Sequence, residues 1–537
     1  MSASNLRNQL ADIFVDADEA TLRECVQVCT TYHLDAKNFK FEWESFVLSR
    51  QKVIPEITIT SVLAFKAKLA TELAAAAKRV NAAPVRTRRP AQQATSSAAA
   101  TAGGGAASST TLAVGAGAAA RSTATKPFVS STSAPVVTER RYKYMYEKIL
   151  ERSEELDDRI DHFAELIKAH YGITEFGDPS ASTDDDVVVI GRICCDADAK
   201  LNEASMLLEA SRVVGSGSRT PTRFAPNVSV RGGLEQGQTG VGFFPGAMAA
   251  FKGRNGGGGW FVVNEILPNP PLKRDQPPGP SVDVSICIAA GPYTYENDFD
   301  FGPFKTLMKR IEDQKPTAIL LLGPFIDVKH VKIRDGDVDE HPQETFQREI
   351  LRPLASSCAR WGATAYVVPS LRDIVSDHAV FPQGELRDEW GGIPQNVRML
   401  PNPCVLSIGG LRVGASSVDV LSQLSQAHFV RTLESEGTAD NYINLSRYVL
   451  RQRSFYPLFP SVDGVNLDVT HSGFLDIEEP APDVLVLPSK FAAFHKDVDG
   501  CTVVNPSFCA KSASLGSYAT VRCRDGKITA TLAKLSV

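Results

Sequence analysis

Several features are missing from these 537 residues, and each absence narrows what the chain can be. No window approaches the roughly 18–20 apolar residues that a membrane-crossing helix needs. The opening "MSASNLRNQLADIFVDADEA" is polar and acidic, with neither the charged start nor the apolar middle of a secretory signal, so a cytosolic or nuclear protein is expected. Ten cysteines are present without a CxxC pair or a Cys/His run at zinc-finger spacing. Cys25 and Cys29 fall four apart on a predicted helix, and the adjacent Cys194 and Cys195 point to opposite faces if extended. Buried thiols are the expectation, rather than a zinc site or a disulfide framework. A net charge of -5 argues against bulk nucleic-acid binding by charge alone, because such binding rests on phosphate neutralisation by Lys and Arg, and leaves room only for a local basic face. Walker A loops, GxSxG elbows and HExxH helices are also missing.

What is present changes character along the chain. Residues 1–80 place apolar side chains at 3–4 spacing in "NLRNQLADIFV", "EATLRECVQVCTTYHL", "NFKFEWESFVLSR" and "SVLAFKAKLATELAAAAKRV", which predicts a small helical domain with Asp18 and Ser61 as N-caps. Its position at the end of a tether suggests docking. Residues 81–138 are Ala, Gly, Ser and Thr around "TAGGGAASSTTLAVGAGAAA", a composition too poor in large apolar groups to offset chain entropy, so a disordered linker is expected. Residues 139–185 open with one long amphipathic helix whose apolar face carries Tyr142, Met145, Ile149, Leu156, Ile160, Phe163 and Ile167.

From 186 to 280 the period shortens. "VVVIGRICCD", "SMLLEASR", "VGFFPGAMAAFKGR" and "GWFVVNEIL" read as strands of a small OB-type barrel, closed by a proline-rich connector. The stretch "RFAPNVSVRGGLEQGQTG" reads as a loop. A single-strand site on this barrel would draw on Phe243, Phe244, Phe251 and Trp260, most of which are expected to pack its interior. Residues 281–537 alternate apolar strands with helices, the pattern of a layered α/β body with its sites at the strand C-terminal ends.

A two-metal hydrolase on such a body needs carboxylate and imidazole ligands converging from several strand ends. The ends here read "AAGPYT", "LLLGPFID", "VVPSLRD" and "LVLPSKF". Gly291, Pro292, Gly323, Pro324, Pro369, Ser370, Pro488 and Ser489 stand where ligands belong, and proline offers neither a ligand atom nor an N–H. The expectation is an inactive site: no catalytic residue, no cofactor and no metal. Asp327, His330, Asp373, His378, His471 and His495 have the right chemistry for a different metal set, though a lone Asp or His in a loop is usually a cap or a hydrogen-bonding residue.

The chain resembles the B subunit family of DNA polymerase alpha–primase. The resemblance is carried by "YKYMYEKILERSEELDDRID", "GRICCDADAKLNEASMLLE", "FFPGAMAAFKGRN", "GPYT", "LLGPFIDVKH", "VPSLRD", "LRQRSFYPLFP" and "KDVDGCTVVNP", in family order from 142 to about 510. It implies a multidomain α+β chain: a helical N-terminal domain, a linker, an OB fold and an inactive calcineurin-like phosphoesterase body. It further implies a nuclear, non-catalytic scaffold that binds the C-terminal domain of the polymerase catalytic subunit and supports primer synthesis at initiation. Primase subunits would be reached through the complex and replication factors through the N-terminal domain, with DNA contact indirect or weak and no membrane partner. A B subunit of another replicative polymerase is the alternative, and a metal-dependent phosphoesterase the remote one. As the partner interface, "RSFYPLFPS" offers Phe455, Tyr456, Leu458 and Phe459 among prolines; the same loop could equally fold onto its own body.

Overall fold

The computed structural model describes residues 3–14, 17–32, 36, 39, 43, 57–67, 128–130, 145–197, 199–274, 283–387, 392–433 and 439–536. The chain divides into two units, Met1–Gly117 and Ala118–Val537.

In the first unit, helices span Ala3–Ile13, Glu19–Tyr32 and 59–67. The Thr21 amide donates to the Asp18 carboxylate at 2.8 Å, the expected N-cap. The other predicted cap shifts by three residues. Thr58 caps the third helix, and the Thr58 and Ser61 side chains each accept from the other's amide at 3.3 and 3.1 Å. Leu10, Cys25, Val28, Cys29, Phe39, Trp43, Val62 and Phe65 form the core. Burial pushes the Cys25 thiol up to about 12, so it packs as a small hydrophobe. Most of the predicted helix "NFKFEWESFVLSR" lies outside the described residues.

The second unit begins in the stretch expected to be linker. There Phe128–Ser130 forms a strand, and the remainder of 81–138 lies outside the described residues. The long helix is Ile149–Tyr171, starting seven residues after Tyr142, the first residue of the apolar pattern. Its buried face is Ile160, Phe163, Ala164 and Ile167, while Met145 and Ile149 are exposed. Gly172 ends it in the left-handed conformation, its amide donating back to the Lys168 carbonyl.

The barrel closes from five strands in the order Val187–Cys195, Met206–Glu209, Arg219–Val230, Phe261–Leu267 and Met248–Arg254. Its third strand corrects the loop expected from Arg223 onward. Pro221 and Pro226 hide it in the sequence, yet Pro221 stands just ahead of the ladder with Phe261–Leu267, which starts at Thr222, and Pro226 falls in its break between Phe224 and Ser229, where a missing N–H is tolerated. Gly240–Phe243, read as barrel, instead pairs antiparallel with Phe429–Thr432 of the body.

Two six-stranded sheets build the body. One runs Val397–Met399, Thr364–Val368, Ala318–Leu322, Val284–Ala290, Ser517–Arg524, Lys527–Lys534; the other runs Phe128–Ser130, Cys404–Ile408, Leu411–Ala415, Val484–Val486, Cys501–Asn505, Phe494–Val498. Alternation along the strands decides what lies between them. Ile286, Ile288, Leu320 and Leu322 share a core with Leu406, Val413, Val484, Val486 and Val504, so the sheets pack face to face. Cys287, Ala289, Ile319 and Leu321 point the other way, onto helices Gly302–Gln314 and Arg352–Trp361. A π-helical turn, Phe346–Leu351, leads into the latter helix just before Pro353, which cannot donate to the helical ladder. The outer face of the second sheet, with helices Val420–Ala427 and Asn441–Arg451, shares one continuous core with the barrel interior.

Candidate functional site

The strand ends come together as expected, and the chain itself fills the space between them. A Cβ added at Gly291 would fall 2.0 Å from the Pro324 carbonyl oxygen, and one at Gly323 would fall 2.1 Å from an Asp373 carboxylate oxygen. Only glycine lets these loops approach so closely. Asp373 is buried, and its carboxylate accepts amides from three residues: Phe325, Ile326 at 3.1 Å and Ser370 at 2.7 Å. It thereby ties the loop after one strand to the loop after the next. Burial raises the carboxyl to about 7 despite these bonds, and the nearby Asp327 adds to the rise.

The other ends are joined in the same way. Asn402 donates to Ser417 Oγ at 2.8 Å and accepts from Ser416 Oγ at 3.2 Å and the Ser417 amide at 3.1 Å. Ser417 Oγ in turn donates to the Pro369 carbonyl at 2.7 Å. Gln383 exchanges backbone hydrogen bonds with Asn402 and donates from its side chain to the Ser370 carbonyl at 3.1 Å. At the last end, Asn505 accepts the amides of Ser489 at 2.9 Å and Ser507 at 2.8 Å. Ser370, Asp373, Gln383, Asn402, Ser489 and Asn505 are all buried. Carboxylate, amide and hydroxyl groups of the chain itself thus occupy the crevice between these strand ends.

Of the six alternative ligands, only Asp327 and Asp373 are brought together, in an antiparallel bridge. Asp327 is ion-paired with Arg372, whose Nε lies 3.1 Å from one carboxylate oxygen, and it also accepts the Lys329 amide at 2.9 Å. His330 caps the short helix Val331–Asp335: Nδ1 accepts from the Lys332 amide at 3.2 Å, so Nε2 donates to the Tyr295 carbonyl at 2.9 Å. His378 and His495 are exposed on separate elements. His471 bonds through Nδ1 to Asp468 at 3.0 Å, beside the start of the long helix, where Asp468 also accepts the Met145 amide at 2.9 Å. Among the described residues, no three His, Cys, Asp or Glu side chains cluster so as to hold a metal ion.

The proposed partner loop requires correction. Phe455, Tyr456 and Leu458 are 1%, 3% and 2% exposed, within the core shared by barrel and body, and so present no surface to another chain. The loop is a weld. Phe455 bonds its amide to the Leu475 carbonyl, Phe459 bonds its amide to the Pro245 carbonyl of the barrel, and Gln452 exchanges hydrogen bonds with Met248 at 2.8 and 2.9 Å. Arg451, on the preceding helix, bridges Asp499 and Glu235 and donates to the Asn269 carbonyl at 2.8 Å. Prolines gave the loop an irregular look in sequence; the signal for the joint lay just before it, in the Asp440 cap and the apolar face of the helix Asn441–Arg451 that carries the loop in. Phe459 alone is half-buried, with Arg192 and Arg152 guanidinium groups 5.1 and 5.6 Å from its ring centre. In the barrel, Phe243, Phe244 and Phe251 are buried as expected, and Trp260 is exposed.

Three family models match: the DNA polymerase alpha/epsilon B subunit over residues 286–496, the OB domain of the DNA polymerase alpha B subunit over 153–269, and the N-terminal part of the DNA polymerase alpha B subunit over 4–70. The chain is similar to the DNA polymerase alpha B subunit of Schizosaccharomyces pombe, 32% identical over 405 residues, covering 70% of this chain and 67% of that one. It is similar also to the proteins of that name from Saccharomyces cerevisiae, 28% identical over 74% of this chain and 63% of the relative, and Rattus norvegicus, 27% identical over 71% and 62%. It therefore spans about two thirds of their lengths. With its barrel and its N-terminal helices both matching models specific to the alpha protein, the chain belongs to the DNA polymerase alpha B-subunit family.

Proposed function

We propose that this chain is the non-catalytic scaffold subunit of DNA polymerase alpha–primase in the nucleus, binding the C-terminal domain of the polymerase catalytic subunit through the fused barrel and body. The observation that carries the non-catalytic reading is the strand-end crevice. Its Asp373, Asn402 and Asn505 side chains are engaged by backbone amides and hydroxyls of the protein itself, a phosphoesterase-like arrangement turned to structural use. Primase subunits are reached through the complex, replication factors through the N-terminal helices, and DNA contact is indirect or weak. The B subunit of another replicative polymerase is the competing reading, since the model matched by 286–496 covers alpha and epsilon together; the alpha-specific matches over 4–70 and 153–269 favour alpha.

With the weld loop buried, the partner surface is better placed at the start of the long helix. Met145, Tyr146, Ile149 and Leu150 are exposed there, Ile149 by 90%. Arg152, one turn on from Ile149, covers the half-buried Phe459. The test is affinity capture of the tagged full-length chain from nuclear extract. Recovery of a polymerase catalytic subunit and both primase subunits in near-equal amounts supports the scaffold. Recovery of the chain alone, with bound metal above about 0.5 per chain and phosphodiester turnover lost in Asp327→Ala, would replace it with a metal-dependent hydrolase.

A further inference from the structure

The joint between barrel and body is not filled throughout. Beside the Gln452–Met248 hydrogen bonds lies a cavity of about 100 Å³, lined from the barrel by Phe244, Ala247, Met248 and Asn269 and from the body by Tyr448 and Arg451. A missing side chain shapes it. Strand Gly240–Phe243 pairs with Phe429–Thr432, and a Cβ at Gly242 would fall 1.9 Å from the Tyr448 hydroxyl oxygen. Glycine there lets helix Asn441–Arg451 carry that hydroxyl to the cavity wall.

Two polar atoms of the lining lack a partner. Asn269 donates its side-chain N–H to the Met248 carbonyl at 3.0 Å, while its Oδ1 is buried and accepts no hydrogen bond among the described residues. The Tyr448 hydroxyl makes none either, and burial pushes it up to about 12, so it stays protonated. Buried groups left in this state cost stability unless something enters to meet them. The charged groups nearby do not call for an ion. Arg447 and Arg451 lie 3.0 and 2.6 Å from Glu235, and both also pair with Asp499, two cations against two anions. The room suits one ring, since an apolar cavity of roughly 150 Å³ holds benzene.

We propose that this cavity is a binding site for a small, neutral, single-ring molecule carrying a hydroxyl group, of the phenol class. The ligand's O–H donates to Asn269 Oδ1, its oxygen accepts from the Tyr448 hydroxyl, and its ring packs among Phe244, Met248 and Ile266, which line the same space. Neutrality follows from the matched charges, and the need for a donor follows from Asn269 Oδ1, which can only accept. The site is separate from the strand-end crevice and does not depend on which polymerase the chain serves.

Phenol and toluene, alike in shape but differing in the hydroxyl, test this when titrated into the full-length chain and followed by saturation-transfer NMR. Phenol binds at least about tenfold more tightly than toluene, the share expected of two hydrogen bonds. Tyr448→Phe, which removes the hydroxyl and keeps the ring, weakens phenol by about three- to tenfold and leaves toluene as in the parent. Gly242→Ala, whose methyl group displaces Tyr448, abolishes binding of both. Should that variant lose the parent melting temperature, Tyr448→Phe decides alone. Absence of phenol binding up to about 10 mM would overturn the site and leave the cavity to water. Equal affinity for phenol and toluene, or an unchanged phenol affinity in Tyr448→Phe, would overturn it as well.

Discussion

Asp373 is a strand-end group held far from its ordinary range. Burial lifts its carboxyl from 3.8 to about 7, against the three amides that favour the charged form. The folded chain then holds this proton more tightly than the unfolded chain, so the group's contribution to stability is complete at low pH. It falls as pH rises from 3.8 towards 7. Denaturant unfolding from pH 4 to 8 should accordingly show a steeper decline for the parent than for Asp373→Asn, which cannot titrate. Asp373→Ala leaves the Phe325, Ile326 and Ser370 amides without their acceptor and should cost about 2–4 kcal/mol at pH 8. Arg451→Met is a second residue-level test. It leaves Arg447 as the remaining cation beside Asp499 and Glu235, and the midpoint of unfolding should drop by the equivalent of about 1–3 kcal/mol.

Among the elements, the loop that follows helix Asn441–Arg451 and the start of helix Ile149–Tyr171 exchange the roles their composition suggests. The loop is rich in aromatics and proline, features of a binding surface, yet Tyr456 packs edge-on against Phe381 inside the core. Tyr456→Ala should therefore lower thermal stability by the equivalent of about 3–5 kcal/mol. The helix start looks like ordinary amphipathic packing, yet its first turn is bare. Ile149→Asp with Leu150→Asp should leave the melting temperature unchanged and weaken capture of the polymerase catalytic subunit at least about tenfold. A matched loss of stability in that double variant would return the helix start to the core.

At the scale of the whole molecule, barrel and body share one apolar cluster, from Phe251 and Phe261 in the barrel to Leu450, Phe455, Leu485 and Val503 in the body. They should unfold together in a single calorimetric transition. A fragment limited to 186–280 loses Leu450, Phe455, Tyr456 and Leu458 from its packing and should show exposed hydrophobic surface by dye binding rather than a folded barrel. Resistance of that fragment to proteolysis equal to that of the full chain would show two independent domains instead.

Periodicity alone determined a good deal here. The 3.6-residue pattern of the N-terminal helices, the alternating strands of the body and the closed barrel were legible because each records a local choice of which face is apolar. The glycines and prolines at 291–292, 323–324 and 369 were legible as the ends of apolar strands. What the sequence could not decide was which apolar surfaces meet one another. Phe455 and Ile149 are both apolar residues in plausible binding contexts, and only the tertiary arrangement buries the first and leaves the second 90% exposed. The strand Arg219–Val230 and the edge strand Phe128–Ser130 were hidden for a related reason. A strand is stabilised by the neighbours it pairs with, and one of these, Phe261–Leu267 in the first case and Cys404–Ile408 in the second, is well separated in the chain.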